Sequence, residues 1–539
     1  MKKKNYTLIA AMCLFFVSPV LSVNVQRRPG TQGAAKENPA MKRAAGNERP
    51  GGSFLPFDTS VVTTHSITIN GKAVPYEAIV GTLPVYVEHK DDIPGNVTKP
   101  RGYIQYTYFR RTDTKDMDTR PIMFSFNGGP GTGSLWMNIG YTGPKRLKIS
   151  PEGWPVQPYG VVDNPYSVLD ATDLVYINPI NTGYSRILND GTKEDFFGVK
   201  QDIDYIADWI ALFLSRYERW TSPKFVIGES YGTTRAAGLA GVLQSTQNIF
   251  LNGVILQGNC GIGLNPSFSS DASAVFKLPS YLAAAWYHKK LPADLQSQDL
   301  RDLYPKVVDF TLNQYLPAVT RGGSLSQAQK EGIAQQVARY SGMPEQYILD
   351  HNLIVSSSNF WKELLRKEGK TIGRLDMRYV GIDKENAGER PDYNPELSAW
   401  DHAFTPAIND YYRKDLNFKT DLRYYVFGPV QPWQQGSQGN SFGRGFNVGD
   451  QLREAMEENP GLHLLNQQGY YDGACDVLGA EMSLWKLDPR SAFKDRIEFK
   501  AFKSGHMLYV RDQDCKEGND DLRAFIKNSI PKPGQPIQY

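Results

Sequence analysis

KFVIGESYGTTRAAGLAGVLQS (residues 224–245) is the stretch on which the fold turns. It begins with a short apolar run of strand character, and 233–245 spaces its apolar residues as a helix does. Between the two stands Gly228-Glu229-Ser230-Tyr231-Gly232. A Gly-x-Ser-x-Gly turn between a strand and a helix is a nucleophile elbow, which holds the serine Oγ exposed above the end of a sheet. The tightness of the turn explains the glycines, since side chains at 228 and 232 would collide with neighbouring backbone. The start of the following helix offers a backbone N–H and a favourable dipole to a developing anion. Ser230 is therefore the candidate nucleophile.

Working outward, residues 65–70 and 76–87 alternate around a turn at Gly71-Lys72, the signature of a β-hairpin. Further strands are expected at 103–109, 122–126, 173–177, 253–257, 461–465 and 497–502, with helices such as 200–216 between several of them. Continuous apolar runs such as 122–126 suit central strands covered on both faces. Strands that alternate with helices imply a mostly parallel sheet with helices on both faces. The elbow and this alternation together predict an α/β fold of the α/β-hydrolase type. Residues 263–440 differ, being helical, polar and interrupted by prolines, and read as a helical cap inserted over the site. The expected hydrolase domain thus has a first part at 54–262 and a second at 441–539.

The chemistry needs three more parts. Phe126-Asn127-Gly128-Gly129-Pro130-Gly131 directly follows the strand at 122–126, and such a glycine-rich loop brings backbone N–H groups close to a ligand. In a hydrolase sheet this loop supplies the second donor of the oxyanion hole, so Gly129 and Tyr231 are the expected N–H pair. No Lys-Ser/Thr follows the glycines, which argues against phosphate binding. The base must follow the cap, where His463 lies inside a strand run and His506 lies in Ser504-Gly505-His506-Met507, just after the last strand. His506 is the expected base. Its orienting acid is sought in 468–476 (QGYYDGACD), where Asp472 comes first after the strand. Asp476 suits the N-cap of the next helix.

The N-terminus reads as an export signal at 1–22. Lys2, Lys3 and Lys4 precede an apolar stretch, Leu8 to Leu21, too short to span a bilayer comfortably, with small residues before a cleavage point after Ser22. Met12 stands where lipidation of Cys13 would need a small residue. Residues 23–53, rich in Gly, Pro, Ala and charge, read as a disordered linker. The expected location is secreted or periplasmic, with no membrane partner once the signal is removed. A net charge of +3 over 539 residues argues against a nucleic-acid partner. The seven histidines show no paired-ligand spacing, so neither a metal nor another cofactor is expected. Beyond Cys13, the cysteines are Cys260, Cys475 and Cys515, an odd number that leaves at least one thiol unpaired within the chain. Whether Cys260 and Cys515 pair is open at this point.

Taken together, NGGPG (127–131), GESYG (228–232), GYYDGAC (469–475) and SGHM (504–507) resemble the serine carboxypeptidases, and RPIMFSFNGGPG (120–131) and PSYLAAAWYHKKL (279–291) resemble the bacterial branch. The resemblance runs from about residue 60 to 530. It implies a Ser230–Asp472–His506 triad, an oxyanion hole of Gly129 and Tyr231, and recognition of a substrate's terminal carboxylate by Asn127, Gly128 and Glu229. Met507 would line the substrate site, and Cys475 matches a position where some members carry a free cysteine. Many members place a second glutamate before a Gly-Pro pair; here that position is Tyr141, whose hydroxyl could donate to a carboxylate instead. A carboxyl such as Glu229 binds another carboxylate only when protonated, and burial favours that form. The implied activity is an exported serine carboxypeptidase acting on peptides, as a monomer or homodimer. A serine esterase or acyltransferase would use the same machinery, and a non-catalytic protein of hydrolase fold is the remaining alternative.

Overall fold

The computed structural model describes residues 55–537 apart from Pro94, 264–269, 435–446 and Pro533. The signal expected at 1–22 and the linker at 23–53 lie outside the described residues. No helix among the described residues is long and apolar enough to cross a membrane.

Strands that are buried at every position form the middle of one large sheet. From edge to edge its main path runs Thr59–Ile69, Lys72–Val85, Gly102–Arg111, Asp173–Ile177, Ile122–Phe126, Lys224–Glu229, Gly253–Gln257, His463–Gly469 and Ile497–Phe502. The first three pair antiparallel, and Gly102–Arg111 also pairs antiparallel with Asp173–Ile177. From Asp173–Ile177 onward every pairing is parallel. Lys224–Glu229 lies in the parallel block with every residue buried, so the serine that follows it emerges above the middle of that block. In the hairpin, Asn70 and Gly71 carry φ of 50° and 76°. Two successive positive φ values make the tight turn whose twist matches the strands, one residue earlier than the sequence suggested.

Alternation along these strands divides the apolar residues between two faces. Phe124, Val226 and Leu256 pack with Ile206 of the helix Val199–Arg216, Leu243 of Tyr231–Gln247 and Leu452 of Val448–Glu458. Met123, Phe225, Ile227 and Ile255 pack on the other side with Trp400 and Phe404 of the helix Pro395–Lys414 and Phe525 of Asp512–Asn528. The sheet therefore carries helices on both faces, as the sequence implied. A third apolar cluster belongs to the insertion and joins Leu282, Val307, Val337 and Phe360 to Tyr470 and Tyr471.

The stretch read as one cap, 263–440, thus packs in two parts. Helices from Leu278–Tyr287 to Ser357–Glu363 build the separate cluster, whereas Pro395–Lys414 belongs to a sheet layer. It turns an apolar face of Trp400, Phe404, Ile408 and Tyr411 inward, while polarity on its other face suggested a cap. The strand expected at 461–465 lies at His463–Gly469. Its end is polar yet fully buried, and each carboxamide oxygen finds a partner. Asn466 Oδ1 accepts from Asn259 (3.0 Å), Gln467 Oε1 from the Tyr141 hydroxyl (2.7 Å) and Gln468 Oε1 from the backbone of Asn259 (2.8 Å).

Below the parallel block, Asp173 receives Arg219 Nη1 at 2.6 Å and Arg120 Nε at 3.1 Å, with Asp173 and Arg219 at 0% and 1% side-chain exposure. Removing one partner of a buried ion pair strands the other charge, at a cost of about 3–5 kcal/mol. Asp173→Ala is expected to lose about that much stability. A urea-unfolding midpoint equal to that of the parent would refute the assignment.

Candidate active site

The elbow has the conformation its sequence requires. Ser230 lies at φ 61°, ψ −127°, a region that L-residues with side chains rarely adopt. A Cβ at Gly228 would sit 1.9 Å from the Gly232 carbonyl oxygen, so only glycine closes this turn. The helix Tyr231–Gln247 starts at once after the serine. The glycine loop abuts it: a Cβ at Gly128 would lie 2.5 Å from the Tyr231 backbone nitrogen and 2.8 Å from Ser230 Cβ. Gly129 takes φ 108°, in the region that favours glycine. The structure thus brings the Asn127–Gly129 loop against the first N–H of the helix, the arrangement an oxyanion hole needs.

His506 and Asp472 meet in a buried pair, with Nδ1 and Oδ2 2.6 Å apart. The other carboxylate oxygen of Asp472 accepts the backbone N–H groups of Ala474 and Cys475, each at 2.9 Å. These contacts fix the carboxylate in place; Nδ1, as the donor to it, carries the proton and Nε2 is left as the basic nitrogen. The ring packs against Gly258, where a Cβ would come within 2.9 Å of it. Burial opposes a charged imidazole here, but Asp472 and Glu229 outweigh it, and His506 titrates above the ordinary histidine value. Asp476 caps the helix Val477–Leu487 through Gly479 N–H at 2.7 Å, and His463 stands at the opposite end of its strand.

Beside the nucleophile lies a buried carboxyl. Glu229, 1% exposed, accepts Asn127 Nδ2 on Oε1 at 2.8 Å and the Tyr509 hydroxyl on Oε2 at 2.5 Å. Asn127 is itself fixed, since its Oδ1 accepts the backbone N–H groups of Trp136 and Met137, each at 3.1 Å. Burial pushes the Glu229 carboxyl up to about 6, although His506 and the two donors pull the other way.

Two expectations need correction. Tyr141 does not reach this carboxyl: its hydroxyl is committed to Gln467, and its ring stacks on Tyr509 with centroids 5.0 Å apart. The phenol on Glu229 comes instead from Tyr509, three residues after the base. Sequence reasoning passed over Tyr509, although its place in HMLY (506–509) put it within one turn of the site. Cys475 is not a free thiol either. It forms a disulfide with Cys260, while Cys515 is free and buried. The Ser230 Oγ stands 3.8 Å from Cys260 Sγ, so the bridge flanks the nucleophile. Met507 is buried among Leu508 and Tyr509 in the sheet layer. Asp472, Cys475 and His506 bring potential metal-binding atoms within 4.8 Å of one another. The sulfur is held in the disulfide and Nδ1 in the bond to Asp472, so this donor set does not fit a metal ion.

A family model described as serine carboxypeptidase matches residues 94–352. Serine carboxypeptidase-like 36 of Arabidopsis thaliana is 27% identical over 166 residues, which cover 30% of this chain and 32% of that protein. The chain therefore spans about a third of the length of this curated relative. Among solved structures, Kex1(delta)p, a prohormone-processing carboxypeptidase from Saccharomyces cerevisiae, superimposes with a TM-score of 0.50 at 13% identity, covering 86% of this chain and 93% of that one. At that identity the likeness speaks for the fold.

Proposed function

We propose that this chain, which a serine carboxypeptidase model matches over residues 94–352, is a serine carboxypeptidase that removes residues from the C-termini of peptides through an acyl-enzyme on Ser230. In this reading Ser230 Oγ attacks the carbonyl before the last residue while His506 Nε2 takes its proton. Asp472 holds the tautomer and stabilises the imidazolium. The N–H groups of Gly129 and Tyr231 receive the oxyanion, each contributing roughly 3 kcal/mol. His506 then returns the proton to the leaving amine and activates the water that hydrolyses the ester. Three lysines followed by the apolar stretch Leu8 to Leu21 support a secreted or periplasmic enzyme.

The observation that carries the peptide-terminus reading is the Asn127–Glu229–Tyr509 cluster next to the nucleophile. An esterase does not need this carboxyl to bind a terminal carboxylate. A carboxypeptidase does, because a protonated Glu229 donates to the substrate's terminal carboxylate, and Tyr509 supplies the phenol that Tyr141 was expected to supply. The test compares blocked dipeptides with a free terminal carboxylate against their amides and esters. Preferential turnover of the free acids is expected. Equal or faster turnover of amides and esters would refute the reading and favour an esterase or acyltransferase on the same scaffold.

A further inference from the structure

A short turn of the insertion touches the loops of the candidate triad. Residues 373–379 join the two strands of a small ribbon, Thr371–Ile372 and Val380–Gly381, and sit between the loops that carry Asp472 and His506. The Arg374 carbonyl accepts the N–H of Gly473 at 3.0 Å, the Leu375 carbonyl accepts that of His506 at 2.7 Å, and the N–H of Met377 donates to the Tyr471 carbonyl at 2.9 Å. Gly505 lies so close to Asp376 that a Cβ there would fall 2.5 Å from it. Arg378 locks Asp376 from behind at 2.6 Å.

On its far side this turn is held by Glu396, the second residue of the helix Pro395–Lys414. Its Oε1 accepts the N–H of Leu375 at 2.8 Å and that of Arg374 at 3.2 Å. The peptide unit between Arg374 and Leu375 therefore runs in line from Glu396 to Gly473, one residue from Asp472. Glu396 is fully buried, and its Oε2 has no hydrogen-bond partner among the described residues. Burial pushes its carboxyl up to about 7. A buried polar atom without a partner is costly, and an apolar side chain would fill the space without that cost. The feature that only a carboxyl or amide supplies here is the acceptor for the two N–H groups.

We propose that Glu396 is a positioning residue for the reaction: its Oε1 fixes the 373–379 turn, and that turn sets the spacing of the Asp472 and His506 loops. The inference rests on the reading of Ser230, Asp472 and His506 as the triad. The full chain would be compared with Glu396→Ala, Glu396→Gln and Glu396→Asp. Three readouts apply: kcat and KM on a blocked dipeptide, the rate at which an organophosphonate labels Ser230, and the far-downfield proton resonance of the Asp472–His506 hydrogen bond. Misplacement by about 1 Å costs about 100-fold, so Glu396→Ala is expected to lower kcat and the labelling rate by about that factor, with KM unchanged and the proton resonance lost. Glu396→Gln keeps the acceptor and is expected to retain rate and resonance. Glu396→Asp, too short to reach both N–H groups, should fall between.

A folded Glu396→Ala with parental kcat and labelling rate would overturn the proposal, and so would a glutamine variant as impaired as alanine. If alanine does not fold, aspartate decides, and parity of aspartate with glutamine overturns it. A parent chain that labels at Ser230 but cleaves no peptide would refute the carboxypeptidase reading alone, leaving Glu396 to be judged by labelling and the proton resonance.

Discussion

Ser230→Ala is expected to lower kcat on a blocked dipeptide by about 10⁶-fold, His506→Ala by about as much, and the double variant by no more than either. The three groups act as a unit. Without Oγ there is nothing for the imidazole to deprotonate, and without the imidazole the hydroxyl keeps its proton. Asp472→Asn should cost less, about 10⁴-fold, because it leaves the geometry and spoils the tautomer. The 2.6 Å bond from Nδ1 to Asp472 presents Nε2 as the base, and an amide in place of the carboxylate could turn the ring's proton the other way. The binding pocket and oxyanion donors remain in all of these variants, so residual catalysis over water should persist. Kinetics on purified variants with active-site titration would decide the point. If the single losses multiplied in the double variant, Ser230 and His506 would be acting independently and the triad assignment would fail.

For free-acid substrates, KM is expected to rise with pH through about 6, by up to about tenfold per pH unit beyond it, whereas esters of the same peptides should show no such rise. The sign follows from the proton on Glu229. Below its pKa the carboxyl donates to the substrate's carboxylate; above it, two like charges face each other. Tyr509 refines the prediction. Its hydroxyl donates to Glu229 and so favours the ionised form. Tyr509→Phe removes that donor, raises the Glu229 pKa and should shift the KM transition to higher pH. His506 limits the acid side, since its raised pKa removes the free base as pH falls. Free acids should therefore give a bell-shaped kcat/KM and esters a rising one. A flat free-acid KM between about pH 4 and 8, or an acid shift in Tyr509→Phe, would eliminate Glu229 as the carboxylate ligand.

The parts of this structure legible in the sequence are those where local geometry admits few residues. The elbow needs glycine at 228, where a Cβ would strike backbone, so the sequence marks the turn and the serine within it. The loop at 127–131 is marked for the same reason. Strands covered on both faces are marked by largely apolar runs such as Ile122–Phe126. Long-range pairings were not legible. Asn466, Gln467 and Gln468 look like a loop until Asn259 and Tyr141 supply their partners from elsewhere in the chain. Tyr509 was hidden because many tyrosines share its local context, and only the fold carries its hydroxyl to Glu229. The pairing of Cys260 with Cys475 spans a sequence separation of 215, and nothing in the spacing of three cysteines selects it. The helix Pro395–Lys414 was assigned to the cap because composition does not say which neighbour an amphipathic face will find.

The disulfide between Cys260 and Cys475 makes the chain between them a covalent ring, closed beside the nucleophile by two residues whose Cα atoms are 4.5 Å apart. The insertion's helices lie inside that ring, and Ser230 and His506 lie outside it. Residues gained or lost within the ring change its circumference but not the place where it is fastened. The helices from Leu278–Tyr287 to Ser357–Glu363, which precede the 373–379 turn and build their own cluster, are therefore where length and composition can change while the nucleophile and base keep their positions.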